Sequence, residues 1–246
     1  MKKLRVLTIS FDTSIEPFQI PAFRGAIAAK VGLEHEWFHN HNNEGMAQLP
    51  KSVSEYNGQG RYHNRYPLIQ YKIAATREQK QPMLMCLDEC VEEAQKFFAK
   101  SDWTINLNGD IRTLSIANLH VNQFNLQLWD TTFYYKIYRW QALNSDNWKS
   151  YQQLEGRVAQ LQFLERILEG HIRGFMQGIG WRTPDYPKVT IIEVVQEKWI
   201  SYKSVKVKCF DLQFKTNAFI PEYIGLGKGA AKGLGVVRRR ERRERK

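Results

Sequence analysis

LRVLTISF, residues 4–11, and PAFRGAIAAKV, residues 21–31, decide the fold. The first stretch alternates and is rich in β-branched residues, which predicts a strand. The second is a run of small residues with proline near its start, which predicts a helix. A polar stretch rich in His, Asn and Gly follows over 34–64, and then apolar runs over 66–74 and 83–87 that read as two strands. Asp88 is expected to cap the next helix, with Glu89, Glu92 and Glu93 in its first turn and Val91, Ala94, Phe97 and Phe98 on its buried side. A further strand falls within 113–128. The order β-α-β-β-α-β is that of a ferredoxin-like (RRM-like) domain, a four-stranded antiparallel sheet with two helices on one face.

The second half runs in the same order. Residues 133–143 form a strong strand. Residues 147–179 place Leu154, Val158, Leu161, Leu164, Leu168, Ile172 and Phe175 at helical spacing, which predicts one long helix with a core-facing stripe. Residues 188–195 and 204–215 pair as a hairpin. In the latter, apolar parity switches from Val205, Val207 and Cys209 to Phe210, Leu212 and Phe214, as a bulge or bend produces, and Lys206 and Lys208 face away from the core. The halves share element order without a sequence repeat. The expected architecture is therefore α+β, with tandem ferredoxin-like domains over 1–130 and 131–246, the second ending in a glycine-rich loop and a basic tail.

With 246 residues, 43% of them hydrophobic and 13% aromatic, the chain can bury enough apolar surface to offset its conformational entropy. No apolar run reaches the ~18 to 20 residues of a membrane span, and the opening MKKLRVLTISFD has no continuous apolar core of a signal peptide, so a cytoplasmic protein without membrane contact is expected. Cys86, Cys90 and Cys209 lie in apolar surroundings and read as packed thiols. Cys86 and Cys90 have no second ligand pair for a metal. The formal net charge of +11 points to a polyanionic partner, since clustered Lys and Arg gain affinity by releasing counterions from phosphates. The tail over 238–246, RRRERRERK, supplies +5 of this charge, either as a solubilising end or as a contact arm.

In GLGKGAAKGLG, residues 225–235, Gly225, Gly227, Gly229, Gly233 and Gly235 alternate with Lys228 and Lys232. Glycine lets backbone N–H groups approach a phosphate and permits positive φ, and each lysine adds a point charge, so the segment is expected to grip a phosphate backbone. No lysine here is followed by Ser or Thr at the spacing of a nucleotide-binding P-loop. A dinucleotide fingerprint would lie between the first strand and helix of a βαβ unit, whereas this segment follows the last strand pair. The bland alternative is a flexible loop that carries the tail.

The stretch FIPEYIGLGKGAAKGLGVV, residues 219–237, resembles the C-terminal glycine-rich loop of the CRISPR repeat-cleaving endoribonucleases of type I systems. RGAIAAKVG (24–32), WFHNH (37–41), YPLIQYK (66–72) and LERILEGHIRGF (164–175) are similar to the I-B branch of that family. The resemblance implies tandem ferredoxin-like domains, recognition of a CRISPR repeat RNA, one metal-independent cut with no cofactor, and retention of the product crRNA as guide for an interference complex. It also admits a homodimer.

Metal-free RNA cleavage uses the ribose 2′-OH as nucleophile. It needs groups that exchange protons near neutral pH, for which histidine is suited, and a cation at the developing phosphorane charge. His39 and His41 follow the first helix, where the resemblance places the catalytic histidine. If the loop is extended they share a side, and either could be acid or base. Arg24 and Lys30, on the preceding helix, are candidate RNA contacts. Tyr56 and Tyr62 read as ordinary loop aromatics, His35 and His63 as weaker candidates, and His120 and His171 as packed or surface-facing. His39-Asn40-His41 is not the metal-dependent nuclease motif of the same letters, and no paired acidic ligands stand between Glu44 and Glu55. A non-cleaving repeat-binding relative is the alternative within the same resemblance. A scaffold for protein partners would leave the charge and the glycine loop without a role.

Overall fold

The computed structural model describes residues 1–32, 37–38, 66–75, 79–100, 102–202 and 205–240. It divides into two compact units, one of Arg5–Asn122 and one of Gln123–Lys246 together with Met1–Leu4.

In the N-terminal unit the elements are β1 (Lys2–Phe11), a 3₁₀ turn (Pro17–Gln19), α1 (Ile20–Val31), β2 (Ile69–Ala75), β3 (Lys80–Leu87), α2 (Cys90–Phe98), β4 (Thr104–Leu107), β5 (Asp110–Thr113) and β6 (Ile116–Leu126). The sheet runs β2-β3-β1-β6, the ferredoxin-like order with β6 as fourth strand. Ile9, Leu84 and Tyr71 form one cross-strand row. Phe23 of α1 meets Phe11 and Tyr71 edge-on at 5.8 and 6.0 Å, and Phe97 of α2 meets Phe11 at 5.9 Å. All four rings are fully buried, each contributing about 1.5–3 kcal/mol of burial, so both helices cover the same face.

Helix α1 follows a capping box in which the Glu16 backbone N–H donates to Gln19 Oε1 at 2.8 Å, and it ends where Gly32 turns to φ +121°. Asp88 does not cap α2. Glu89 holds the N-cap position without a side-chain hydrogen bond, while Asp88 turns the chain at φ +50° and its N–H donates to Arg5 O at 2.8 Å. The β4–β5 hairpin, an addition to the expected β-α-β-β-α-β order, turns on Asn108 and Gly109, both at positive φ.

In the C-terminal unit β7 (Leu128–Trp140), α3 (Ser145–Gln152), α4 (Arg157–Gly178), β8 (Val189–Tyr202), β9 (Val205–Ala218) and β10 (Val236–Arg240) form a sheet ordered β10-β7-β9-β8. This is the same ferredoxin-like order, but no helix lies between β9 and β10; the glycine-rich segment takes that crossover. The expected single helix over 147–179 is two, because Gly156 at φ +80° breaks it. Of the expected stripe, Leu164, Leu168, Ile172 and Phe175 are buried, whereas Val158, in the first turn of α4, is 69% exposed. The parity switch at Cys209 and Phe210 leaves both side chains buried. The irregularities lie on the strands that flank β9, between Ile137 and Trp140 of β7 and between Val194 and Gln196 of β8.

Candidate nucleic-acid interface

The glycine-rich segment is shaped by what lies under it. Ile224, Leu226, Ala230 and Leu234 are buried and act as pins, while Lys228 is exposed and Lys232 half-buried. Gly227, Gly229, Gly233 and Gly235 have φ of +80°, +78°, +75° and +61°, the left-handed region that glycine enters freely. At Gly235 the reason is also steric: a Cβ there would stand 1.9 Å from the Leu226 carbonyl oxygen. Short hydrogen bonds tie the loop to itself. Leu226 N–H donates to Gly235 O at 2.9 Å, Lys232 N–H to Gly229 O at 2.8 Å and Ala230 N–H to Gly227 O at 3.3 Å. The segment is thus a fixed turn rather than a slack linker.

Two side-chain supports fix its position. Arg139 sits at the β7 irregularity with φ +49° and reaches the loop twice: its guanidinium donates to Gly233 O at 2.9 Å, and its carbonyl accepts from Gly235 N–H at 3.1 Å. Asp211 holds that bend, since Oδ1 accepts from Arg139 N–H at 2.6 Å while Oδ2 accepts from Lys198 Nζ at 2.6 Å. Burial pulls the Arg139 guanidinium below its ordinary pKa, and Cys209 and Asp211 pull it back.

The second support is Trp140, fully buried, whose indole N–H donates to His171 Nδ1 at 3.0 Å. Burial pushes His171 down to about 4, so it is neutral at physiological pH and free to accept that bond. A Cβ on Gly227 would lie 2.9 Å from the imidazole and 3.0 Å from the indole nitrogen, so the loop backbone rests directly on the pair. Of the two readings open from the sequence, packed or surface-facing, His171 is the packed one, and it seats the loop. Arg139 carried no sequence signal, because its importance comes from an irregular backbone position.

The other candidates lie in the N-terminal unit. Arg24 is half-buried on α1 and close enough to Tyr71 to oppose the rise that burial imposes on that hydroxyl. Lys30 is held by Asp102 at 2.9 Å, and that bond, with those from Thr104, keeps the carboxyl below its usual range. Arg24 and Lys30 lie six positions apart on the helix, roughly 240° of rotation, so they do not share a face. His39 and His41 lie outside the described residues. Among the described residues no three His, Cys, Asp or Glu cluster as a metal site, and no helix is long and apolar enough to cross a membrane.

Two ferredoxin-like units, the second with a glycine-rich loop in place of its last helix, define a tandem ferredoxin-like protein. Comparison with known families matches residues 2–125 to the Cas6b N-terminal domain and residues 127–240 to the Cas6b C-terminal domain. The chain belongs to the Cas6b family, within the CRISPR repeat-processing endoribonucleases that the glycine-rich segment resembled. A crystal structure of Cas6b is 22% identical with TM-score 0.80, covering 97% of this chain and 100% of that one. A second, of CRISPR RNA processing endoribonuclease Cas6b, is 20% identical with TM-score 0.67 over the same shares. An uncharacterized protein of Methanocaldococcus jannaschii is 29% identical over 140 residues, 56% of this chain and 92% of that one.

Proposed function

We propose that this chain cuts CRISPR repeat RNA once, without a metal ion. The ribose 2′-OH gives up its proton to a base and attacks the adjacent phosphorus. The P–O5′ bond breaks, and the leaving 5′-oxygen takes a proton from an acid. The products are a 2′,3′-cyclic phosphate and a 5′-OH. His39 and His41 exchange the two protons, since imidazole near pKa 6.5 can both accept and give one at neutral pH.

The observation that carries this reading is the match of Cas6b domains to both halves of the chain. The seated glycine-rich loop supports it further, because it offers Lys228 to solvent on a backbone that needs no reordering when phosphate arrives. In this proposal residues 1–130 carry the cut and 131–246 the grip, with Gly225, Gly227, Lys228, Gly229, Lys232, Gly233 and Gly235 on the phosphates. Arg24 supplies charge from α1. Lys30 joins it only if it leaves Asp102. Retention of the crRNA for an interference complex, and a homodimer, belong to the same proposal.

The test is incubation of repeat RNA with the protein in excess chelator, repeated with His39→Ala and His41→Ala. The parent should cut and the double variant should not. Undiminished cutting by the double variant would sink the assignment, and no cutting by the parent would favour a repeat-binding relative. A 2′-deoxy substitution at the scissile nucleotide should abolish the cut and leave binding intact.

A further inference from the structure

Away from the glycine loop, the C-terminal unit has a chain of hollows along the first part of β7. The register of β7 against β9 slips between Leu128 and Phe133, where four residues, 129–132, stand against the single Asn217. Three cavities of ≈ 800, 260 and 630 Å³ are lined by these residues, and a fourth of ≈ 210 Å³ adjoins the third. Each shares lining residues with the next: Asp130, Thr131 and Thr132 join the first two, Trp129 and Lys188 the second pair, and Asp185 and Tyr186 the last. We take these neighbouring hollows as one groove; the exposed rings of Trp129 and Tyr186, 39% and 57% exposed, both line the third hollow.

The central hollow of ≈ 630 Å³ lies between those two rings, and its size suits a small planar ligand. Each aromatic has an aspartate beside it in sequence, Asp130 after Trp129 and Asp185 before Tyr186, and both line the same hollow with Lys188. One face of Tyr186 is already covered by the Arg173 guanidinium, 4.1 Å from the ring centroid. Cations also mark both ends of the groove, Arg173 and Arg182 at one and Arg239 and Arg240 at the other, with Lys215 between. Of the four carboxylates that line it among the described residues, Glu222 is occupied by Arg238 at 3.3 Å and by the Arg239 N–H at 3.0 Å. Asp130, Glu169 and Asp185 remain to accept hydrogen bonds.

We infer that this groove binds an unpaired stretch of RNA, with bases that carry an exocyclic amine laid on Trp129 and Tyr186, and that it works separately from the glycine loop. The rings supply stacking, Asp130 and Asp185 accept from the base amine, and Lys188 and Lys215 meet the flanking phosphates. A duplex cannot use the rings, because its bases are already stacked on each other, whereas a single strand can splay its bases onto them. The inference rests on the RNA reading above and adds a second site to it.

The experiment uses the full chain and fluorescence anisotropy, with a 12-nucleotide oligoadenylate, an oligouridylate of equal length and a blunt RNA hairpin as probes. Oligoadenylate should bind several-fold tighter than oligouridylate. Tyr186→Ala and Trp129→Ala should each weaken oligoadenylate about tenfold, in line with ~1–3 kcal/mol per stacked base, and should leave the hairpin within twofold. Trp129→Phe and Tyr186→Phe should restore most of the affinity. Asp130→Asn with Asp185→Asn should bring the ratio of the two oligomers toward one.

An unchanged oligoadenylate affinity in Tyr186→Ala, whose exposed ring can be removed without loss of fold, overturns the inference and leaves a protein partner as occupant. Equal losses on oligomer and hairpin overturn it too, as does a parent that binds neither oligomer. Cleavage of repeat RNA is scored separately, so failure here and failure of the endoribonuclease reading are told apart.

Discussion

Trp140 and His171 form a hydrogen-bonded pair at 3.0 Å, ring planes 88° apart, on which the backbone of Gly227 rests. The bond requires a neutral imidazole, and the folded protein supplies it by holding His171 at about 4 against 6.5 when free. Between those values the unfolded chain binds a proton that the folded chain refuses, so folding weakens as pH falls from 6.5 toward 4 and is unaffected above 6.5. The contribution lost is about 2 kcal/mol by pH 5. His171→Asn keeps an acceptor and does not titrate. Urea melts from pH 7.5 to 4.5 should show a steeper loss for the parent than for this variant, and parallel curves would mean that His171 is not the group responsible.

Gly235 and Gly25 make opposite predictions. Alanine at 235 puts a Cβ 1.9 Å from the Leu226 carbonyl oxygen and opposes the bond from Leu226 N–H to Gly235 O. The loss of stability should exceed the ~1–2 kcal/mol of left-handed alanine alone, and RNA affinity should fall with it. Gly25 lies in α1 with nothing within 4 Å of an added Cβ, so Gly25→Ala should raise stability by about 0.5–1 kcal/mol through helix propensity. Thermal melts of the two variants give the comparison, and a mild Gly235→Ala would mean that the loop is not seated as described.

Elements with a strong period were legible in the sequence. The alternation over 4–11, the small residues over 21–31 and the apolar positions from Leu164 to Phe175 correspond to β1, α1 and the buried face of α4. Elements decided by a single backbone torsion were not. Gly156 splits the long helix at φ +80°, and apolar spacing alone ran through it because Leu154 and Val158 fit the stripe. Asn108-Gly109 is a hairpin signal, short enough to be lost between α2 and β6. In the candidate interface, glycine and lysine content marked the loop, but Arg139, Asp211 and His171 act through long-range pairings that no local pattern carries.

Asp211 tests whether the β7 bend positions the loop. Its carboxylate accepts the Arg139 N–H, and Arg139 in turn holds Gly233 O. Asp211→Ala strands that amide and Lys198, at a cost of about 1–3 kcal/mol. Asp211→Asn retains an acceptor for the amide and loses only the ion pair, so its cost should be well under half. RNA affinity should follow the same order, Ala below Asn below parent. Equal affinities across the three would separate the bend from the loop's function.

Lys228 tests the grip itself. It is exposed at the top of the loop, so Lys228→Gln should leave the melting temperature unchanged. If the lysine neutralises one phosphate, the slope of log K against log salt should become shallower by about 0.7 for single-stranded RNA or 0.9 for duplex. Lys96, paired with Glu93 on α2, is the control, and Lys96→Gln should leave the slope as it was. The measurement is repeat-RNA affinity at four or more salt concentrations. A change in affinity without a change in slope would mean that Lys228 shapes the loop rather than meeting the phosphate, and no change in either would remove it from the interface.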